Sequence, residues 1–578
     1  MTFRSHAHRC QVRKNMAKTI FGTSDKSNFI LNMDLGRYRD TAAKLMLAIL
    51  WCVGLSEGIN HLTNRANAGF ADMIDGGGFG AVIALLFVAL RSTATIFSIV
   101  GVLAIIAMVI GLMRKQFSKK TAVPYLLLAG SLIWAVISLF HSYDLKTSFF
   151  GQDGRDEGWL ALLIYAAVFY LGTMLREKRQ QEKFLRGVMI FGIVQCIWGI
   201  WQALPLIDYK ATDFGLSPYR NLDPMLLWNL RLPTGMTDNP VTYAMMLGML
   251  GAVSVPASLI AKEKKTIASA IICRCLCIVM AIKTQTLTGL IAAGCIFLCM
   301  IVIAVIKRKE SDFRAWLMPM LTVIAVAVGG LWVWFTPAIN QTYRRPDRAT
   351  VKQAEEGIAF AAREDDVADI VRPNGFTMTN ADGRELPALY DGGIVWDDGY
   401  YRLGTQGPYS STADNAVDAY DAFAVRKYCR EQGIRALKID PLLGVGPDNF
   451  YFTQLRVSYD VGGNPNSVDR PYDDYLYIAA TRGIPSLILH IVLLGWCFFR
   501  AWQRRKDGNG WLLAAAASAV LVYAVTAFTG ISVLSVAPLF WMLLGMLAAD
   551  PIAETAPAPA AAGKQNEKKD KKSGKDQA

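Results

Sequence analysis

Apolar runs of about 20 residues, each long enough to cross a bilayer as a helix, recur along the 578-residue chain. They fall at roughly 42–58, 94–113, 122–140, 157–175, 184–206, 240–261, 266–283, 285–306, 315–337, 473–500, 511–529 and 531–549. Short polar connections separate most of them, but 338–470 is too long to be a mere connector. The pattern predicts an all-α polytopic membrane protein with about 12 transmembrane helices (12–13) and one large extracytoplasmic loop before the last three. A porin-like barrel is excluded, because its strands would alternate over about ten residues. The apolar segment 76–92 carries Arg91 and reads as re-entrant or interfacial. If it crossed, the count would be thirteen and the N-terminus would lie outside.

Charge orients this plan. The net charge is +13, and Lys and Arg gather in short connections: Arg114 to Lys120, Arg176 to Lys183, Lys262 to Lys265, Lys307 to Lys309 and Arg500 to Lys506. Such clusters mark the cytoplasmic side and are no nucleic-acid signature. The 338–470 stretch has the opposite bias, with 15 Lys and Arg against 20 Asp and Glu, and so belongs outside. The expected organisation is a basic cytoplasmic segment 1–41, transmembrane helices 42–337, the loop 338–470, the last helices 471–550 and a disordered Lys-rich cytoplasmic tail 551–578. No cleavable signal peptide is apparent. Inside the loop, helical stretches are expected at Arg348–Val371 and Ala416–Ile439. A hairpin between them is expected to turn at Asn380-Ala381-Asp382-Gly383.

The ten cysteines add little. Most lie in apolar runs, where a thiol acts as a small hydrophobe. Cys273, Cys275 and Cys277 alternate and so point to different helix faces, which argues against a shared metal. There is no Gly-Lys-Ser/Thr P-loop, no dinucleotide GxGxxG and no HExxH, so no cofactor is expected. The loop 338–470 contains no histidine, so any proton acceptor there must be another group.

The polar residues that remain concentrate at membrane boundaries. The run Pro441–Ser486 joins a Gly-rich turn (Gly444, Gly446, Pro447) to Asp448, Asn449, Arg470, Tyr472, Asp473 and Asp474, just where a helix begins. Ionisable groups are costly at such a boundary and usually serve a substrate. Arg231 precedes Thr234-Gly235 and Asn239-Pro240 at a helix start, where it either holds an anionic group or snorkels to lipid phosphate. Arg155 and Glu157 lie in Gly151–Gly158, which also reads as a plain polar turn before a helix. Arg430 shares a helical face with Arg426, Lys427 and Arg435, either solvated or docking. Lys283 and Arg274 are cations within or at the end of an apolar run.

In order and placement these motifs resemble the O-antigen ligase and polymerase superfamily, over about 120–550. The similar features are the Gly-rich Arg/Glu loop at 151–158, Arg231 to Pro240, Arg430 ahead of Pro-Leu-Leu-Gly-Val-Gly-Pro, and the small-residue and Phe-Trp pattern from Ser532 to Gly545. Two positions depart from the family pattern. Tyr472-Asp473 stands where the family has His-Asn, and Thr286-Leu287-Thr288 stands where it often has Ser-Arg-Gly, with Lys283 four residues from Leu287. The resemblance implies glycan transfer or polymerisation from a polyprenyl-diphosphate-linked donor to a glycan, lipid or protein acceptor, at the outer face of a bacterial cytoplasmic membrane. No nucleic acid, metal or nucleotide takes part in that reaction. It implies Arg231, Arg430, Lys283 and Arg155 at the diphosphate, Asp473, Asp474 or Glu157 as base, and Arg470, Asn449 and Tyr472 as further contacts. Trp396, Tyr400, Tyr401 and Tyr409 either stack on sugars or pack the loop's own small core. A flippase of lipid-linked glycan or a non-catalytic glycan-binding scaffold are the rivals. The flippase predicts inverted repeats and broken helices, and the apolar runs read as neither.

Overall fold

The structure, a computed structural model, describes residues 34–63, 90, 92–116, 121–152, 155–203, 232–308, 313–335, 422–453, 470–505 and 510–550, and four short strands within 376–402. Long helices dominate: α1 (Leu35–Thr63), α2 (Thr93–Met113), α3 (Ala122–Phe140), the short α4 (Leu145–Phe150), α5 (Trp159–Thr173), α6 (Lys178–Ala203), α7 (Pro240–Ile260), α8 (Lys264–Lys283), α9 (Leu287–Arg308) and α10 (Arg314–Phe335). After the strands come α11 (Ala422–Ile439), α12 (Asp474–Gln503), α13 (Gly510–Thr526) and α14 (Ala537–Ala548). Among the described residues nine helices are long and apolar enough to cross a membrane, and α5, α13 and α14 are shorter apolar helices.

The predicted hairpin is present as β1 (Phe376–Thr379) paired antiparallel with β2 (Glu385–Ala388). A second pair, β3 (Gly393–Trp396) with β4 (Gly399–Arg402), was not expected from the sequence. The stretch Arg348–Val371, the segment 76–92 and both termini lie outside the described residues.

Helix α7 forms the centre. It is apolar all round and almost wholly buried, against α8, α9 and α13, as expected of a helix enclosed by others. Its start is firmly set: Asn239 accepts from the Val241 and Thr242 amides, and the Thr242 hydroxyl accepts from the Asn239 amide. Small residues let helices meet backbone to backbone. At Gly172 of α5 and Gly545 of α14 the Cα atoms sit so close that a Cβ on either would strike the opposite main chain.

The bundle has two chemically distinct ends. One carries arginines: Arg176 and Arg500 lie near the Asp550 carboxylate, and Arg504 donates to the Met546 and Leu547 carbonyls. At the other end the polar segments 141–157, 232–239, 440–449, 470–474 and 527–536 gather. The sequence reading of 473–500 as one continuous helix is corrected here. Helix α12 breaks at Gly483 (φ 78°, ψ 163°), followed by Pro485. A break frees main-chain groups, and the turn Pro441–Gly446 satisfies them. Val445 and Gly446 donate to the Ala480 and Thr481 carbonyls at 3.0 and 2.9 Å, and Ile484 donates to the Pro441 carbonyl at 2.8 Å. Gly444 and Gly483 face one another across this contact, both at positive φ, and a Cβ on either would strike main chain. Helix α11 and the 3₁₀ turn Phe450–Thr453 close over it through a small core of Ala436, Phe450, Tyr477 and Ala480.

Candidate functional site

The gathered end is built on a buried ionic knot. Arg470 bonds the Glu157 carboxylate, donates to the Ser532 carbonyl at 2.8 Å and lies 3.3 Å from Asp448, with its guanidinium 4.6 Å from the Tyr477 ring centroid. Burial alone would lower the Arg470 pKa, but Tyr477, Glu157 and Asp448 more than offset it, and the group is held firmly protonated. Asp448 sits at φ 56°. It also accepts the Tyr477 hydroxyl and the amides of Gln152 (2.8 Å) and Glu157 (3.2 Å). Glu157 accepts Tyr165 at 2.7 Å and Ser532 at 3.3 Å. Every strong acceptor of this knot is therefore taken. It ties four distant segments together around the buried Arg470.

Asn449 is similarly engaged. Its side chain accepts the Asp144 amide at 2.9 Å and donates to Ser148 and to the Pro447 carbonyl. Asp144 in turn caps α4, a helix the sequence did not reveal.

Two cavities flank the connection Ser532–Ser535. The first, about 40 Å³, is lined by Glu157, Asp474, Tyr477, Arg482, His490, Tyr523 and Trp541, among others. Asp474 is nearly engulfed; its carboxylate takes a long contact from the Tyr523 hydroxyl at 3.4 Å, is approached by the Ser532 amide and faces the Arg482 and Arg470 guanidinium groups. The second, about 50 Å³, is lined by Glu57, Thr93, Arg155, Asp156, Asp238 and Ser535. Arg155 bonds Asp238 there at 2.6 Å, so the first and second polar connections meet.

The remaining candidates are spread around this end. Asp473 caps α12, accepting the Leu476 amide at 3.1 Å, and pairs with Arg430 of α11 at 3.3 Å. Arg430 is 57% exposed, so the pair contributes less than about 1 kcal/mol. Tyr472 is half-buried at φ 50°. Lys283 ends α8, buried, with its Nζ 5.5 Å from the Trp332 ring centroid, and lines neither cavity. Arg274 is buried between Ser258 (2.6 Å) and Met318, far from this end. Arg231, Tyr409 and the side chains of Trp396, Tyr400 and Tyr401 lie outside the described residues. Cys273 and Cys277 turn to Cys196 in the helical core, while Cys275 points elsewhere.

Burial raises the Asp473 pKa, and the Leu476 amide and Arg430 pull it partly back. The folded-state value therefore lies above the unfolded one, and the folded chain binds this proton more readily. Stability from this group is present below the unfolded value and declines as pH rises through the folded value. Removing the opposing cation (Arg430→Ala) raises the folded value further. The variant is expected to lose thermal stability more steeply than the parent as pH rises above the ordinary carboxylate range, by less than about 1 kcal/mol. Thermal midpoints of the two proteins over that rise in pH check this, and parallel curves would contradict it.

Sequence reasoning gave no site role to Arg482, His490, Tyr165, Tyr523 or Ser532. One signal was present: Thr481-Arg482-Gly483-Ile484-Pro485 sets a cation beside a Gly and Pro interruption in an apolar run. Residues 273–491 match a family model described as O-antigen ligase. The match contains α11, the turn Pro441–Gly446, Asp448, Asp474 and Arg482, whereas Glu157 and Ser532 fall outside it. No curated protein matches the chain.

Proposed function

The match supports membership of the O-antigen ligase and polymerase superfamily; from that premise we propose that the protein transfers or polymerises a glycan from a polyprenyl-diphosphate-linked donor onto an acceptor hydroxyl at the outer face of a bacterial cytoplasmic membrane. In this reading all twelve long or shorter apolar helices cross, the arginine-bearing end and both chain ends are cytoplasmic, and the gathered polar end with α11 is extracytoplasmic. The observation that carries it is the first cavity. A carboxylate, Asp474, and a guanidinium, Arg482, face one another across a water-sized space at the gathered end.

The acceptor oxygen attacks the anomeric carbon, the bond from that carbon to the diphosphate oxygen breaks, and polyprenyl diphosphate leaves with the electron pair. Asp474 takes the acceptor proton, because Glu157 is neutralised by Arg470 and Asp473 is committed to its cap and to Arg430. Arg430 and Arg231 offset charge on the departing diphosphate. Arg155 orders the second cavity through Asp238, and Lys283 stands back from both. Metal and nucleotide take no part. The broken α12 gives the flippase reading one point in its favour, but the break is sealed by the turn Pro441–Gly446 and lies near one end of the helix.

Asp474→Asn, Arg430→Ala and Arg231→Ala variants in the native host test the reading. Asp474→Asn is expected to reduce transfer about 100-fold or more, giving short or absent surface polymer and donor accumulating on the outer leaflet. Donor trapped on the inner leaflet would indicate transport instead. Normal polymer in all three well-expressed variants would sink the catalytic assignment.

A further inference from the structure

The first cavity holds one arginine, Arg482, and no lysine. No described residue gives Arg482 a hydrogen bond within 3.5 Å or an ion pair within 4.0 Å. Its neighbours explain this. Glu157 and Asp448 are saturated by Arg470 and by the hydroxyls and amides around them, and Asp474 faces Arg482 across the cavity without closing to an ion pair, held toward the Tyr523 hydroxyl and the Ser532 amide. A guanidinium presents five N–H donors in a rigid plane that fits phosphate oxygens two at a time. Leaving such a group half-buried without an acceptor is costly, unless the acceptor arrives with the substrate. Water in the cavity mouth is the plain alternative.

Height along the membrane narrows the acceptor. From Ile484 to Gln503, α12 is unbroken, about 30 Å at 1.5 Å per residue, the thickness of a hydrocarbon core. Arg500 and Arg504 mark its far end. The break at Gly483 therefore sets Arg482 at the level of lipid phosphates on the other side, at the top of the span and not inside it. Size narrows the acceptor further. About 40 Å³ admits roughly three water-sized centres, enough for the oxygens of one phosphoryl group and too little for a sugar ring. Tyr523, Phe540 and Trp541 form an aromatic wall on the apolar side.

We propose that Arg482 binds a phosphoryl oxygen of the lipid donor's diphosphate at the mouth of this cavity, fixed at headgroup height by the Gly483 break. The proposal rests on the donor class proposed above, and it places the sugar outside the cavity.

The test measures binding without transfer. Purified full-length protein in lipid nanodiscs is titrated with sugar-free polyprenyl diphosphate, with polyprenol, and with inorganic pyrophosphate, and the shift in thermal midpoint gives each affinity. The parent is expected to prefer polyprenyl diphosphate over polyprenol, and Arg482→Gln to weaken the diphosphate about ten- to hundredfold with polyprenol unchanged. Arg482→Lys, which keeps the charge and loses the planar fork, is expected to fall between them. It carries the test if Arg482→Gln does not fold. Unchanged diphosphate affinity in a folded variant overturns the role of Arg482 and leaves the transfer reading intact. A parent protein that does not distinguish diphosphate from polyprenol overturns the donor reading itself. Inorganic pyrophosphate binding as tightly as the lipid would show a free-anion site and overturn the lipid-headgroup assignment.

Discussion

Arg470→Ala is expected to destabilise the protein by about 3–5 kcal/mol, the cost of leaving buried carboxylates without their cation. Glu157 and Asp448 would both lose Arg470 in a region that excludes water, and the Ser532 carbonyl would lose a donor. The expected observation is poor yield, or a strongly lowered thermal midpoint in detergent. Arg470→Lys should recover only part of the loss, since one ammonium cannot reach Glu157, Asp448 and the Ser532 carbonyl in the geometry of the fork. The double variant Glu157→Gln with Arg470→Met should be more stable than Arg470→Ala, because it removes charge from both sides of the pair. An Arg470→Ala protein as stable as its parent would show that the knot does not hold the segments 157, 448, 470 and 532 together.

A comparable loss is expected from Gly483→Val, with a different signature. At φ 78° and ψ 163° any residue with a Cβ is strained by about 1–3 kcal/mol. Here the added atoms would also strike the Leu442 carbonyl. The turn Pro441–Gly446 would be pushed off the break, and the three main-chain hydrogen bonds that seal it would be lost. Helix α3 also bonds this contact, Trp134 to the Leu442 carbonyl and Ser138 to the Thr481 carbonyl, but the core around α7 lies apart from it, so the bundle should still assemble while Arg482 and Asp474 would no longer be presented to the cavity. Gly495→Val on the same helix is the control. Nothing lies within 4 Å of its Cβ position, and its effect should stay within about 0.5 kcal/mol. Equal behaviour of the two variants in stability and glycan transfer would contradict the role given to the break.

The helices were legible because burial in lipid demands long apolar stretches, and ends such as Pro240 and Phe140 fell within a residue or two of the expected places. The β1–β2 hairpin was legible from its Asn-Ala-Asp-Gly signal. Helix α4 was not, since six residues carry no periodicity and its start is fixed by the single cap Asp144. The break at Gly483 was marked only by Arg482 and Pro485 within an otherwise apolar run. The polar knot was half legible. Asp448, Arg470, Asp473 and Asp474 stand near one another in sequence, but Glu157 joins them from about 300 positions away, and no local pattern gives that distance. The same limit explains Arg482. Its place beside a Gly and Pro interruption is visible in the sequence, but only the fold sets it among the carboxylates Glu157, Asp448 and Asp474.

The most direct measurement uses purified protein in liposomes supplied with a polyprenyl-diphosphate-linked glycan and an acceptor sugar chain, following the glycosidic product and the freed lipid together. Glycan transfer predicts new glycosidic bonds and equimolar polyprenyl diphosphate, both abolished in Asp474→Asn. Intact lipid-linked glycan crossing the bilayer with no new bond formed would contradict it.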